Sequence, residues 1–180
     1  MNNQNLSNIK NSLEKVYDDD QAIREEYDKV LKVHGNQSQE LRNCLKRMEE
    51  IQHKNLIIVE DIISQLGWLG PNKIGNKASQ ALFLVIQHSD INTMEKYHKL
   101  MKEACNKGNL NRKDFALFQD RLLLSQGKKQ IYGTQFIFLE KENKYVLEGT
   151  VNTSDANKKR KELGLPSIEE DLEILNKENK

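Results

Sequence analysis

Cysteine, proline and tryptophan are scarce in this chain, long apolar runs are missing, and neither sign of charge is in excess. Each shortage excludes something. Cys44 and Cys105 lack CxxC spacing and sit in helical patterns, so they read as reduced thiols rather than a disulfide or zinc framework. The longest apolar run, Ala81-Leu-Phe-Leu-Val-Ile86, is far short of the ~20 residues that cross a bilayer. The 28 basic residues balance 27 acidic ones, whereas a dedicated nucleic-acid binder carries a basic excess or a basic face. The opening Met1-Asn2-Asn3-Gln4-Asn5 has no apolar stretch of the kind a signal peptide needs. The chain is therefore expected in the cytoplasm, off the membrane and without nucleic acid.

Motif absences narrow the chemistry further. There is no P-loop, GxGxxG, GxSxG elbow or cysteine-nucleophile signature. His34, His53, His88 and His98 show no HxH, HExxH or paired-carboxylate spacing, so neither a metal nor a cofactor is expected.

What is present is periodic. A chain of 180 residues suits one domain that buries about 70% of its unfolded surface without a staple. Leu6, Ile9, Leu13 and Val16 predict a short first helix. Asp18-Asp19-Asp20 then reads as the cap and acidic first turn of a second helix ending at Gly35. A long pattern starts near Ser38 and closes at Gly67, with room for a bend near residues 53–55. Gly67-Trp68-Leu69-Gly70-Pro71-Asn72 reads as a loop. Helices follow through Ala78–Ile86, from an Asn92/Glu95 capping box to Gly108, and from Asn111 to Gly127.

The period then changes. Residues 131–139 are rich in β-branched and aromatic side chains, Lys141-Glu142-Asn143 is a turn, and Tyr145-Val-Leu147 returns, which predicts a hairpin. Ser154 is expected to cap a helix ending at Gly164, and Ser167 with Glu170 to box a last one. The expected fold is mainly α (α+β): a multi-helix bundle of about six to eight helices with one small β-hairpin near 130–148. Residues 1–168 form a single domain, and 169–180 form a charged helix or fraying tail.

Candidate site residues come from polar groups in unusual places. In a strand from Gln130 to Gln135, Gln130, Tyr132 and Thr134 share one face, and Gly133 marks a bulge or close approach. A bulged strand whose polar groups satisfy helix ends is the plainer alternative to a ligand site. His88, preceded by Gln87, continues an apolar face to a helix C-terminus, which suits a poised imidazole or a satisfied core histidine. Asp20 and Arg24, four apart, make either a surface ion pair or an anion anchor. Asp120-Arg121 is ambiguous in the same way. Lys158-Lys-Arg-Lys161 reads as a solvated helix face.

In order, Asp20-Gln21-x-x-Arg24, Gly67-Trp68, Gly75 with the Ala-rich helix into Gln87-His88, Asp120-Arg121, Gln130-x-Tyr132-Gly133-Thr134-Gln135, and Arg160 with Gly164-Leu165-Pro166 resemble the bacterial domain-of-unknown-function family 6624. The resemblance spans about residues 15–168. Leu69 departs from it, since proline is expected after Gly-Trp. The resemblance implies domain limits and a choice of residues, but no activity. The expectation is a polar small-ligand site, with His88 and Asp120 as proton-transfer candidates and Asp20, Arg24, Gln87, Gln130, Tyr132, Thr134 and Gln135 holding a polar molecule, Arg24 meeting any negative charge on it. That would suit a metal-independent hydrolase or transferase. The alternative is a non-enzymatic interaction module of immunity, anti-defence or adaptor type, with a protein partner.

Overall fold

The computed structural model describes residues 3–178. Contacts divide the chain into two compact units, one up to Leu110 and one from Asn111, so the expected 1–168 body spans both. Its described residues form helices with one two-stranded antiparallel sheet, as the sequence predicts. No helix among them is long and apolar enough to cross a membrane.

The first unit holds α1 (Asn3–His34), α2 (Gln39–Leu66), the short α3 (Pro71–Ile74), α4 (Asn76–Gln87) and α5 (Ile91–Asn106). The expected break at Asp18–Asp20 does not occur, and α1 runs through it. The reason is legible in the spacing. Leu13, Val16, Asp20, Ile23, Tyr27 and Val30 form an unbroken stripe at alternating steps of three and four, with no glycine or proline to interrupt it. Asp20 occupies a core position of that stripe and is buried. The stripe faces α2 and α4, where Ile23, Cys44 and Met48 form an apolar cluster with Tyr27, Val30 and Ile51 against it.

Ser38 caps α2 by accepting from Leu41 N, and α2 is helical throughout, including residues 53–55. Within the expected loop, α3 forms because Pro71 at its first turn presets φ and needs no donor. Trp68 is buried, and its Nε1 has no hydrogen-bond partner among the described residues. The start of α5 is capped by Asp90, which accepts from Thr93 N, and not by Asn92.

The second unit holds α6 (Arg112–Ser125), β1 (Phe136–Leu139), β2 (Lys144–Leu147), α7 (Thr153–Glu162) and α8 (Ile168–Glu178). Asn111 caps α6 as expected. The cap of α7 is Asn152, which accepts from Asp155 N, and not Ser154. The Ser167/Glu170 box opens α8 in both directions: Ser167 N donates to Glu170, and Glu170 N to Ser167 Oγ. Residues 169–178 of the expected terminal segment are helical, while Asn179 and Lys180 lie outside the described residues.

The hairpin pairs Ile137 with Val146 and Phe138 with Tyr145, and Asn143 turns it in the left-handed conformation. Asn176 of α8 seals the outer side of β2. Its Oδ1 accepts from Tyr145 N and its Nδ2 donates to Tyr145 O, reproducing with one side-chain amide what a third strand supplies.

Candidate functional site

The polar residues singled out by sequence fall into two clusters, one in each unit. In the first unit the centre is Asp20, with a side chain only 2% exposed. Its carboxylate accepts from Gln21 Nε2 at 2.9 Å, Arg24 Nε at 3.1 Å, Arg24 Nη2 at 3.3 Å and His88 Nδ1 at 3.3 Å. Burial by itself would push this acid upward. The hydrogen bonds and charges of His88 and Arg24 outweigh burial and hold Asp20 below the ordinary carboxylate range. The Asp20–Arg24 pair is therefore no ordinary surface pair, and Arg24 spends its charge on a buried partner.

His88 caps the C-terminus of α4 with its ring 13% exposed. An anionic acceptor at Nδ1 selects the tautomer protonated there and puts the basic lone pair on Nε2. The ring lines a cleft of about 230 Å³ together with Glu49, Gln52, His53 and Leu56 of α2 and the turn residues Ser89 and Asp90. Ser89 Oγ donates to Val85 O at 2.7 Å. Gln87, the preceding residue, is buried, and its Oε1 has no donor among the described residues.

In the second unit, residues 130–135 correct the sequence reading. They are not strand, so Gln130, Tyr132 and Thr134 do not share a strand face. They form a loop around Asp120, which α6 presents fully buried. Asp120 Oδ1 accepts from Ile131 N at 2.7 Å and Tyr132 N at 3.1 Å. Its Oδ2 accepts from Thr134 N at 3.0 Å, Thr134 Oγ1 at 2.9 Å and, more distantly, Tyr132 N. A carboxylate satisfies donors that a strand would have sent to a neighbour, so the β-rich sequence need not pair. Because the loop fills its acceptor sites, Asp120 acts as a brace, and the proton-transfer role expected of it finds no support in this geometry.

Gln130 is the second brace. Its Oε1 accepts from Gln135 N, while its Nε2 donates to Gln135 O and Glu148 O. Arg160 is the third, and it departs from the reading of Lys158–Lys161 as a solvated face, which holds for Lys158, Lys159 and Lys161. Its side chain is 1% exposed, because Ala156 and Arg160 stand four apart on the buried face of α7. It donates to Tyr132 O at 3.1 Å and Gly133 O at 2.9 Å, to Pro166 O, and to Asp171. The Tyr132 backbone is thus held on both sides. Gly133 has φ +64°, and a Cβ there would lie 2.5 Å from Ile168 Cδ1.

These buried braces carry the sequence landmarks, and a family model spanning them, residues 7–179, matches the chain. The chain belongs to the family of unknown function DUF6624. No curated protein and no solved structure matches it. Several DUF6624 landmarks named above are the residues with structural partners: Asp20 with Arg24 and His88, Asp120 with the 131–134 loop, and Arg160 with the same loop.

Sequence reasoning missed Glu49, Gln52 and His53 as cleft residues. Their signal was a polar ridge at steps of three and one beside the apolar stripe of α2. It also missed Asn55, a polar residue inside that stripe, which is buried and donates to Val16 O at 3.4 Å.

Proposed function

We propose that the first unit binds a small polar molecule in the His88 cleft and that His88 exchanges a proton with it, as the acid–base group of a metal-independent hydrolase or transferase. The carrying observation is the buried Asp20 carboxylate at His88 Nδ1. It orients the ring, selects the tautomer and stabilises the imidazolium that forms when Nε2 takes a proton. A 3.3 Å contact is long, as such contacts often are before a ligand tightens the site.

The lining narrows the ligand. Glu49 and Asp90 border the cleft, and Arg24 is matched by Asp20, so a neutral or cationic ligand suits it better than an anion. The Ser89 hydroxyl donates to a carbonyl, so the nucleophile is water or a second substrate. Gln87 Oε1, a buried acceptor without a donor among the described residues, costs about 1–3 kcal/mol and is consistent with a polar group retained for function. Cys44 and Cys105 form no disulfide among the described residues, which fits the cytoplasmic setting we assign to the protein.

The test is a thermal-shift screen of neutral and cationic metabolites, repeated on His88→Gln and Asp20→Asn. A ligand at 100 times its Kd adds about 2.7 kcal/mol. Both variants should lose most of that increment while still unfolding cooperatively. A hit that both variants bind as well as the wild type would remove the assignment.

An interaction role is the second reading. It is favoured by β1, where Ile137 and Phe138 are exposed and no charged residue or proline guards the strand. Concentration-dependent mass by analytical ultracentrifugation that disappears on Phe138→Lys would support it, and a constant monomer mass would count against self-association.

A further inference from the structure

The second unit contains another cleft, of about 300 Å³, lined by Arg121, Leu124, Ser125, Gln135 and Glu148. We propose that it is a binding site for a small zwitterion of the α-amino-acid class, with Arg121 meeting the carboxylate and Glu148 with Gln135 Oε1 meeting the ammonium. This site is independent of the His88 cleft.

The argument starts from the walls. One is the face of α6 on which Arg121, Leu124 and Ser125 stand at steps of three and four. The other is the first rung of the hairpin, where Glu148 N donates to Gln135 O at 3.0 Å. Residues paired in this way direct their side chains to the same side of the ladder. A cationic donor therefore lines one wall and two acceptors line the other.

The acceptor wall is held rigidly. The Gln130 amide bonds Gln135 N, Gln135 O and Glu148 O at 3.0, 3.1 and 2.6 Å. The Gln135 amide is oriented in turn, its Nε2 donating to Leu117 O and Thr134 Oγ1, both at 3.2 Å. That leaves Oε1 as the end of the amide without a partner among the described residues. The Glu148 carboxylate likewise makes no hydrogen bond or ion pair there.

Behind this wall stand Asp120, Gln130 and Arg160, all buried. Burying charged groups is a poor route to stability, since apolar residues of similar volume serve as well or better. It does fix a loop to the tolerance that recognition needs. The volume lies at the small end of ligand pockets and suits a single amino acid. Leu124 offers the apolar contact for a short side chain, and a zwitterion presents opposite charges to the two walls.

The test titrates the full chain with the twenty standard α-amino acids, followed in amide correlation spectra, with butylamine and butanoate as probes having one charged end. At least one amino acid should shift residues 121–125, 135 and 148 saturably with Kd at or below about 1 mM. The one-ended probes should bind about 10-fold or more weakly, as loss of a charge-assisted hydrogen bond requires. Arg121→Met and Glu148→Gln should each weaken binding to the same degree while leaving the amide positions of Ile131, Tyr132 and Thr134 in place, which shows that the loop is still folded. Absence of shifts at these residues with all twenty overturns the proposal. So does butanoate binding as well as an amino acid, or Glu148→Gln binding like the wild type.

Discussion

Replacing Asp120 by asparagine leaves the side chain's shape unchanged and turns one acceptor into a donor. With the retained oxygen at the Oδ1 position, Ile131 N and Tyr132 N keep their acceptor. The new amide nitrogen then confronts Thr134 N and Thr134 Oγ1, both of which donate to Oδ2 in the wild type. Losing hydrogen bonds to a charged, fully buried acceptor costs about 1.5–3 kcal/mol each. The hydroxyl can rotate and accept from the new amide, whereas the Thr134 N–H cannot. The expected cost is therefore about 2–4 kcal/mol, a large share of the ~5–15 kcal/mol that holds a domain folded. Because the chain has two compact units, the reading should be local. In hydrogen exchange, the Thr134 amide should lose about 30- to 1000-fold protection at 1.4 kcal/mol per decade. Thr134→Val, which removes the hydroxyl's bond to Asp120 and the one it accepts from Gln135 Nε2 but keeps the Thr134 N–H bond, should cost about 1–2 kcal/mol. If Asp120→Asn changes Thr134 protection by less than about 5-fold, a cost below 1 kcal/mol, the brace described above is wrong.

Asp20 has a folded pKa below its ordinary 3.8, so its contribution to stability is fully present above that value and is lost as pH falls through the folded value. The stability gap between wild type and Asp20→Asn, followed by urea unfolding through the acid range, should persist below the ordinary carboxylate value and close only in stronger acid. A gap that closes at or above the ordinary value contradicts the pairing. Gly133→Ala combines a left-handed backbone, costing about 1–2 kcal/mol, with a clash on Ile168 Cδ1, costing about 1–3 kcal/mol. Adding Ile168→Val, which deletes the clashing methyl, should recover the steric part. A double-mutant cycle that comes out additive would show that the contact is not felt.

Helix count, hairpin, the Ser38, Asn111 and Ser167 caps and the glycine-marked helix ends were legible because each is dictated locally, by period, by a capping side chain or by a glycine. The misreadings share a different cause. Three aspartates in a row look like a helix start, yet Asp20 falls on the stripe set by Val16 and Ile23, and tertiary burial outweighs capping preference. Four basic residues look like a solvated face, yet the helical period gives Arg160 the same azimuth as Ala156. The 130–135 segment has strand-forming composition, but its donors go to a carboxylate ten or more positions earlier in sequence, a partner that composition cannot announce. The site candidates were legible as residue types and not as an arrangement. Asp20 joined to His88 and Arg160 joined to Asp171 are long-range pairs, and no spacing rule reaches them.

Asn176 gives the final helix a use beyond packing. Its amide stands in for a peptide unit against Tyr145, so α8 works as a cap on a sheet that would otherwise be open there. A truncation or proteolytic cut ahead of Asn176 would do more than shorten the chain. It would uncover a second sticky edge on the hairpin, and the trimmed protein should precipitate or form fibrils under conditions where the full chain stays dispersed. Deletions that reach Asn176 should therefore cost dispersal even where they leave both clefts intact.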